Sequence, residues 1–217
     1  TNYITSLVTL GGAYWDTMLS ATSFVGVGIQ GITVPLRDGM AVPTNNSFVT
    51  GDLNQLTGLL SDGSTKYLAT GLTGSDLSQN DHSFSVYASS ASTAGFAGGI
   101  YGANFTNTIS IAVASTTTNF YSSAPVDSST KITSAPSLVG LSRSVNTAYT
   151  ARTNQGDETF TTTALAPLNT GGLSLFAVGA GVAPTVARLA TYHAGPALNL
   201  ATLEALQDTL ITEIAAI

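Results

Sequence analysis

The carboxylates are the first residues to test for chemistry. Retaining glycoside hydrolysis uses two of them about 5 Å apart, one as nucleophile and one as acid. On a β-strand that means acids at alternate positions, so that both side chains leave the same face. The chain has three glutamates, Glu158, Glu204 and Glu213. Glu204 and Glu213 fall in a helical C-terminal pattern, and Glu158 has no acid two or four residues away. Asp157 and Glu158 are adjacent, so a strand turns them to opposite faces and a solvated turn is their plainer use. The two histidines serve a Ser-His-Asp hydrolase no better. His82 follows Asp81 at a strand entry, His193 ends a strand over Arg188–Tyr192, and no Gly-x-Ser-x-Gly elbow occurs. Both read as strand-end surface or hydrogen-bonded residues.

Metal and ligand chemistry comes next. Two histidines without cysteine leave zinc poorly served. Calcium takes oxygen ligands, which Asp76 with Asn80 and Asp81, or Asp52 with Asn54, have to offer. Asp and Asn in loops more often cap turns, so the expectation is no metal and no cofactor. Gly58 to Lys66 has the outline of a phosphate loop but lacks the Gly-Lys-Ser/Thr that completes one. Sugar recognition has the best raw material in Trp15, Tyr101, Phe105 and Tyr121, although aromatics on strands are more often core. The ligand-binding set stays open, and the reading is a chain that is not an enzyme.

The elements that must position these residues are short and β-rich. Charged residues make up 8% of the 217 and hydrophobic ones 43%, with a net charge of −6. Ordinary domains carry roughly 25% charge. Here Thr, Ser, Asn and Gly take its place, which suits strand faces, turns and close subunit contact. Arg37, Lys66, Lys131, Arg143, Arg152 and Arg188 are scattered, which argues against nucleic acid and against an anionic membrane surface. The apolar window from Leu173 to Ala190 is broken by Gly179, Gly181, Pro184 and Arg188, so it is no membrane span. Residues 1–30 show no signal-peptide pattern.

Strands are expected over Gln55–Leu60, Ser64–Ala69, His82–Ala88, Asn107–Val113, Thr117–Tyr121, Leu138–Ser142, Thr147–Arg152, Glu158–Thr163, Leu173–Val178 and Arg188–His193. Asp62-Gly63 reads as a tight hairpin turn and residues 154–157 as a longer one. Tyr14-Trp15-Asp16 opens a short helix through Ser20. Leu200, Leu203, Leu206, Leu210, Ile214 and Ile217 recur at helical spacing behind an Asn199 N-cap, which gives a helix over 199–216 packed on the sandwich.

Several stretches also resemble a known group. They are Val34-Pro35-Leu36, Phe48-Val49-Thr50-Gly51-Asp52, Gly63-Ser64-Thr65-Lys66-Tyr67-Leu68, Val139-Gly140-Leu141-Ser142-Arg143-Ser144 and the ending from Ala187 into the terminal helix. Together they are similar to phage-encoded virion or tail-associated proteins with a concanavalin A-like lectin/glucanase (laminin-G-like) domain. The resemblance spans residues 25–217 and leaves 1–24 as an N-terminal segment. It implies an all-β, two-sheet antiparallel jelly-roll sandwich with a C-terminal α-helix. It also implies a virion setting, as a capsid decoration (cement) or tail-associated subunit that contacts other virion proteins and copies of itself. The alternative is a lectin-like module for host surface polysaccharide.

Overall fold

The computed structural model describes residues 12–90, 95–100, 107–113, 118–123, 127–129, 136–164, 167–179 and 181–216. Two antiparallel sheets face each other, as the sequence pattern requires. Sheet I runs β13 (Gly156–Phe160), β12 (Ala148–Thr153), β11 (Ser137–Val145), β6 (His82–Ser90), β15 (Arg188–Gly195), β4 (Gly58–Leu60) and β3 (Leu53–Asn54). A further strand, β1 (Ser20–Ser23), shares the second edge of β15 with β4. Sheet II runs β10 (Asp127–Ser129), β9 (Thr118–Ser122), β8 (Ile109–Val113), β7 (Gly95–Ile100), β14 (Gly172–Leu175), β5 (Tyr67–Thr73) and β2 (Thr44–Asn46).

Alternation decides which residues meet between the sheets. Phe84, Val86 and Ala88 of β6, Val139 and Leu141 of β11 and Tyr149 and Ala151 of β12 enter the core from sheet I. Ile109 and Ile111 of β8, Phe120 of β9, Leu173 and Leu175 of β14 and Leu68 and Leu72 of β5 enter from sheet II. Each Val, Leu, Ile and Phe side chain among them contributes about 1.5–3 kcal/mol by leaving water.

Part of the other face of sheet I is covered by the terminal helix, α2 (Leu200–Ala215), which follows a short α1 (Gly12–Thr17) in chain order. Asn199 caps α2, its Oδ1 accepting the Thr202 amide at 2.9 Å. Leu200, Leu203 and Leu206 pack on Tyr87, Leu138 and Ala190, with Val25 and the half-buried Trp15 beside them. Leu200 lies directly over Gly140, where a Cβ would come within 2.9 Å of it, so glycine there is what lets the helix sit this close.

Some expectations need correction. Asp62-Gly63 is not a hairpin turn, because β4 lies in sheet I and β5 in sheet II. The Asp62 carboxylate instead gathers the amides of Ser64, Thr65 and Lys66 at 2.9–3.0 Å and folds a crossover between the sheets. The stretch 154–157 is tighter than expected: Thr153 pairs with Gly156, and Gly156 supplies the positive φ of 92°. The run over 55–60 is split by a turn between β3 and β4, where Asn54 Oδ1 accepts the amides of Leu56 and Thr57. The Leu173–Val178 strand stops at Leu175, because Phe176 takes φ 67° to drop its ring against Phe48. The early helix ends at Thr17, since residues 20–23, assigned to the segment ahead of the sandwich, form β1 on β15.

Candidate functional site

The outward face of sheet I is hydroxylated, and α2 covers only part of it. Beyond the helix start, Ser142 of β11, Thr150 of β12 and Thr159 of β13 form one cross-strand row. Gly140, Arg152 and Asp157 form the next. Ser142, Ser144, Thr150 and Asp157 floor a cleft of about 320 Å³ whose far wall is the backbone turn from Ala197 to Leu200. Ser142 Oγ ties that wall down by accepting the Leu198 amide at 2.9 Å.

Arg152 orders one side of the cleft. Its Nε donates to Glu204 Oε2 on α2 and its Nη1 to Asp157 Oδ1, each at 2.6 Å. Burial works against its charge, but the bonds to Asp157 and Glu204 prevail and raise its pKa. The structure therefore joins two acids far apart in sequence through one guanidinium. A glycosidase acid must enter the reaction as a proton donor, and a carboxylate shared with an arginine is badly placed for that role. The arrangement suits polar recognition. Alternation placed Arg152 on a strand and left Asp157 in the turn, which the structure moves onto β13, and only the docking of α2, 52 residues further along, brings Glu204 to them.

A second polar cluster lies sealed between the sheets. The imidazole of His82 donates from Nδ1 to Ser78 O at 2.7 Å, so its Nε2 accepts from Ser122 Oγ at 2.8 Å. Arg143 Nε donates to that same hydroxyl, while its other nitrogens reach the carbonyls of Ser122, Asn146 and Thr162 at 2.8–3.0 Å. The guanidinium also lies 5.1 Å from the Tyr149 ring centre, and Tyr149 donates to Asp127. Burial, with the nearby Arg143 charge, lowers His82 to about 4, and the Ser78 carbonyl only partly opposes this. Burial together with Asp127 raises the Tyr149 hydroxyl. Every donor is spent on protein, so this cluster is a plug. The signal for it was in the sequence, because Val139, Leu141 and Arg143 share one strand parity.

The remaining candidates are placed as follows. His193 lies within β15 rather than at its end, fully buried, with Gln207 Nε2 of α2 donating to its Nδ1 at 3.0 Å. Glu158 of β13 pairs with Ala151 of β12, and Glu213 lies late on α2. Asp52 accepts the Val49 amide and Lys66 Nζ, and Asp76 accepts the Thr73 amide and hydroxyl. Asn80 donates its amide to Ser78 Oγ, and Asp81 accepts the Ala197 amide. These oxygens do turn and capping chemistry, and among the described residues no three metal-ligating groups gather. The Gly58 to Lys66 stretch carries β4 and the Asp62 crossover, and Gly58 has no room for a side chain against Leu189 O. Trp15 packs beside α2 and Tyr121 is half-buried on β9. Tyr101 and Phe105 lie outside the described residues.

No family model matches this chain, and no curated protein matches it. Among solved structures it is similar to domain 4 of AbnA, a GH43 extracellular arabinanase from Geobacillus stearothermophilus, in complex with arabinotriose. The match has a TM-score of 0.54 at 14% identity, over 88% of this chain and 98% of that one. At that identity the likeness shows a shared all-β sandwich fold.

Proposed function

We propose that this protein is a non-catalytic binding module whose cleft beside α2 takes a neutral, polyhydroxylated glycan. The observation that carries the reading is the lining. Ser142, Ser144 and Thr150 offer hydroxyls that both donate and accept, and Asp157 offers an acceptor. Arg152 holds that carboxylate and adds donors beside it. The volume sits at the low end of small-ligand sites, and an anionic sugar would meet Asp157 and Glu204. The solved neighbour, with arabinotriose bound, lends support at the level of fold. A glycan array followed by calorimetry tests it: neutral oligosaccharides bind, and Asp157→Ala with Thr150→Val abolishes binding without unfolding. An array with no hits would remove the proposal.

The second reading places the chain on a phage particle as a decoration or tail-associated subunit. It is favoured by a surface low in charge that leaves Val34, Val42, Val49, Leu56, Val182 and Val186 exposed. Cryo-electron microscopy of the particle tests it. Ordered copies on the capsid lattice make protein contact the primary role, and copies only at fibre tips leave the glycan role.

A further inference from the structure

The attachment of α2 to the sandwich differs in kind from the core. Its leucines form an apolar cluster of their own, separated by sheet I from the core between the sheets. Removing the helix therefore leaves the inter-sheet packing intact. The face it would leave behind is mixed, with Ser83, Ser85, Thr191 and His193 pointing out of it beside Tyr87, Leu138 and Ala190.

Its polar attachments share a second property. Glu204 accepts from Arg152 and from the Leu138 amide, Asp208 accepts from the Tyr87 hydroxyl at 2.7 Å, and Gln207 donates to His193. Each ties the helix to the sandwich at a named atom, and the one on His193 holds only while that imidazole is neutral. A proton there would put a charge at a fully buried site that faces a donor. Three oxygens sealed in or beside this interface, Ser85 Oγ, Thr191 Oγ1 and Gln207 Oε1, have no hydrogen-bond partner. They too are better served once water enters.

We propose that α2 is an acid-released cover, which leaves sheet I while the two-sheet core remains folded. Around His193 stand Gln207 of α2, which donates to its Nδ1, and its cross-strand neighbours Ser85 of β6 and Ala21 of β1, and burial alone accounts for its shift. Burial holds His193 down at about 3. In the released state it regains its ordinary value, so the released state binds the proton first as the pH falls below about 6.5. From pH 7 to pH 5 that histidine alone shifts the docking equilibrium roughly twentyfold toward release. Asn199 and Leu200 wall the cleft and Glu204 holds Arg152, so release also dismantles the cleft. That last consequence rests on the glycan reading, whereas release itself does not.

Trp15, the single tryptophan, packs in the α2 cluster and reports on docking without a label. The experiment follows Trp15 emission and far-ultraviolet circular dichroism of the ligand-free protein from pH 7 to pH 3. Trp15 should shift to the red at least one pH unit above the loss of sheet signal. His193→Gln should move the Trp15 transition about one unit lower, and His82→Gln should move the sheet transition. Coincident transitions in the unaltered protein, or an unmoved Trp15 midpoint in His193→Gln, overturn the proposal. Hydrogen exchange at pH 7 and pH 5, corrected for intrinsic rates, needs no variant. Protection lost in α2 but kept in β6 supports release, and parallel loss overturns it.

Discussion

Arg143 and Arg152 stand on neighbouring antiparallel strands and meet opposite fates. Arg143 has the parity of Val139 and Leu141, so it points between the sheets and is fully buried. Its partners are carbonyls and a hydroxyl, with Asp127 one residue removed beyond Tyr149. Arg152 has the opposite parity, keeps 17% of its side chain exposed, and is held by two carboxylates. A guanidinium enclosed by fixed backbone acceptors has no freedom to change partners. One flanked by side-chain carboxylates at a cleft rim can exchange one for a ligand oxygen. The pleat of the strand thus separates an arginine that builds the fold from one available for recognition.

The comparison breaks first at Arg143. Arg143→Met leaves five carbonyl oxygens and Ser122 Oγ without their donor. It should lower unfolding free energy by about 3–5 kcal/mol in urea titrations, and a smaller loss would show that water replaces the plug. Acid attacks the same region next. His82 is neutral when folded and binds its proton in the unfolded chain, so stability is fully present above pH 6.5 and falls as the pH drops toward 4. The loss is about 3 kcal/mol at pH 4, and His82→Gln should flatten that part of the profile.

At the half-buried arginine the effects shrink. Arg152→Ala removes two half-buried ion pairs and should reduce stability by about 1–2 kcal/mol while abolishing glycan binding. If stability fell as far as in Arg143→Met, the division between the two arginines would fail. Smallest is Asn199→Ala, worth about 1 kcal/mol of helix capping, read as lower hydrogen-exchange protection in the first turn of α2.

Much of the fold was legible where side-chain pattern and backbone agree. Strands β6, β8, β11 and β12 and the Asn199-capped helix follow from alternation and helical spacing. β7 was hidden because Gly95, Gly98 and Gly99 give no apolar rhythm, and β1 because Ser-Ala-Thr-Ser is small and polar on both faces. The Asp62 turn was visible as a turn, but a turn does not announce whether its strands pair or change sheets. The site was less legible still. Arg152, Asp157 and Glu204 are unremarkable singly and become a unit only through the docking of α2.

The strand order has a consequence for synthesis. β15 is the neighbour of β1, β4 and β6, and β14 is the neighbour of β5 and β7. Until residue 175 has emerged from the ribosome sheet II lacks the strand that joins its halves, and until residue 195 has emerged sheet I does too. The nascent chain therefore carries several open strand edges until these residues emerge, each a template for the wrong partner. Closure comes late and all at once, by insertion of two strands into waiting gaps.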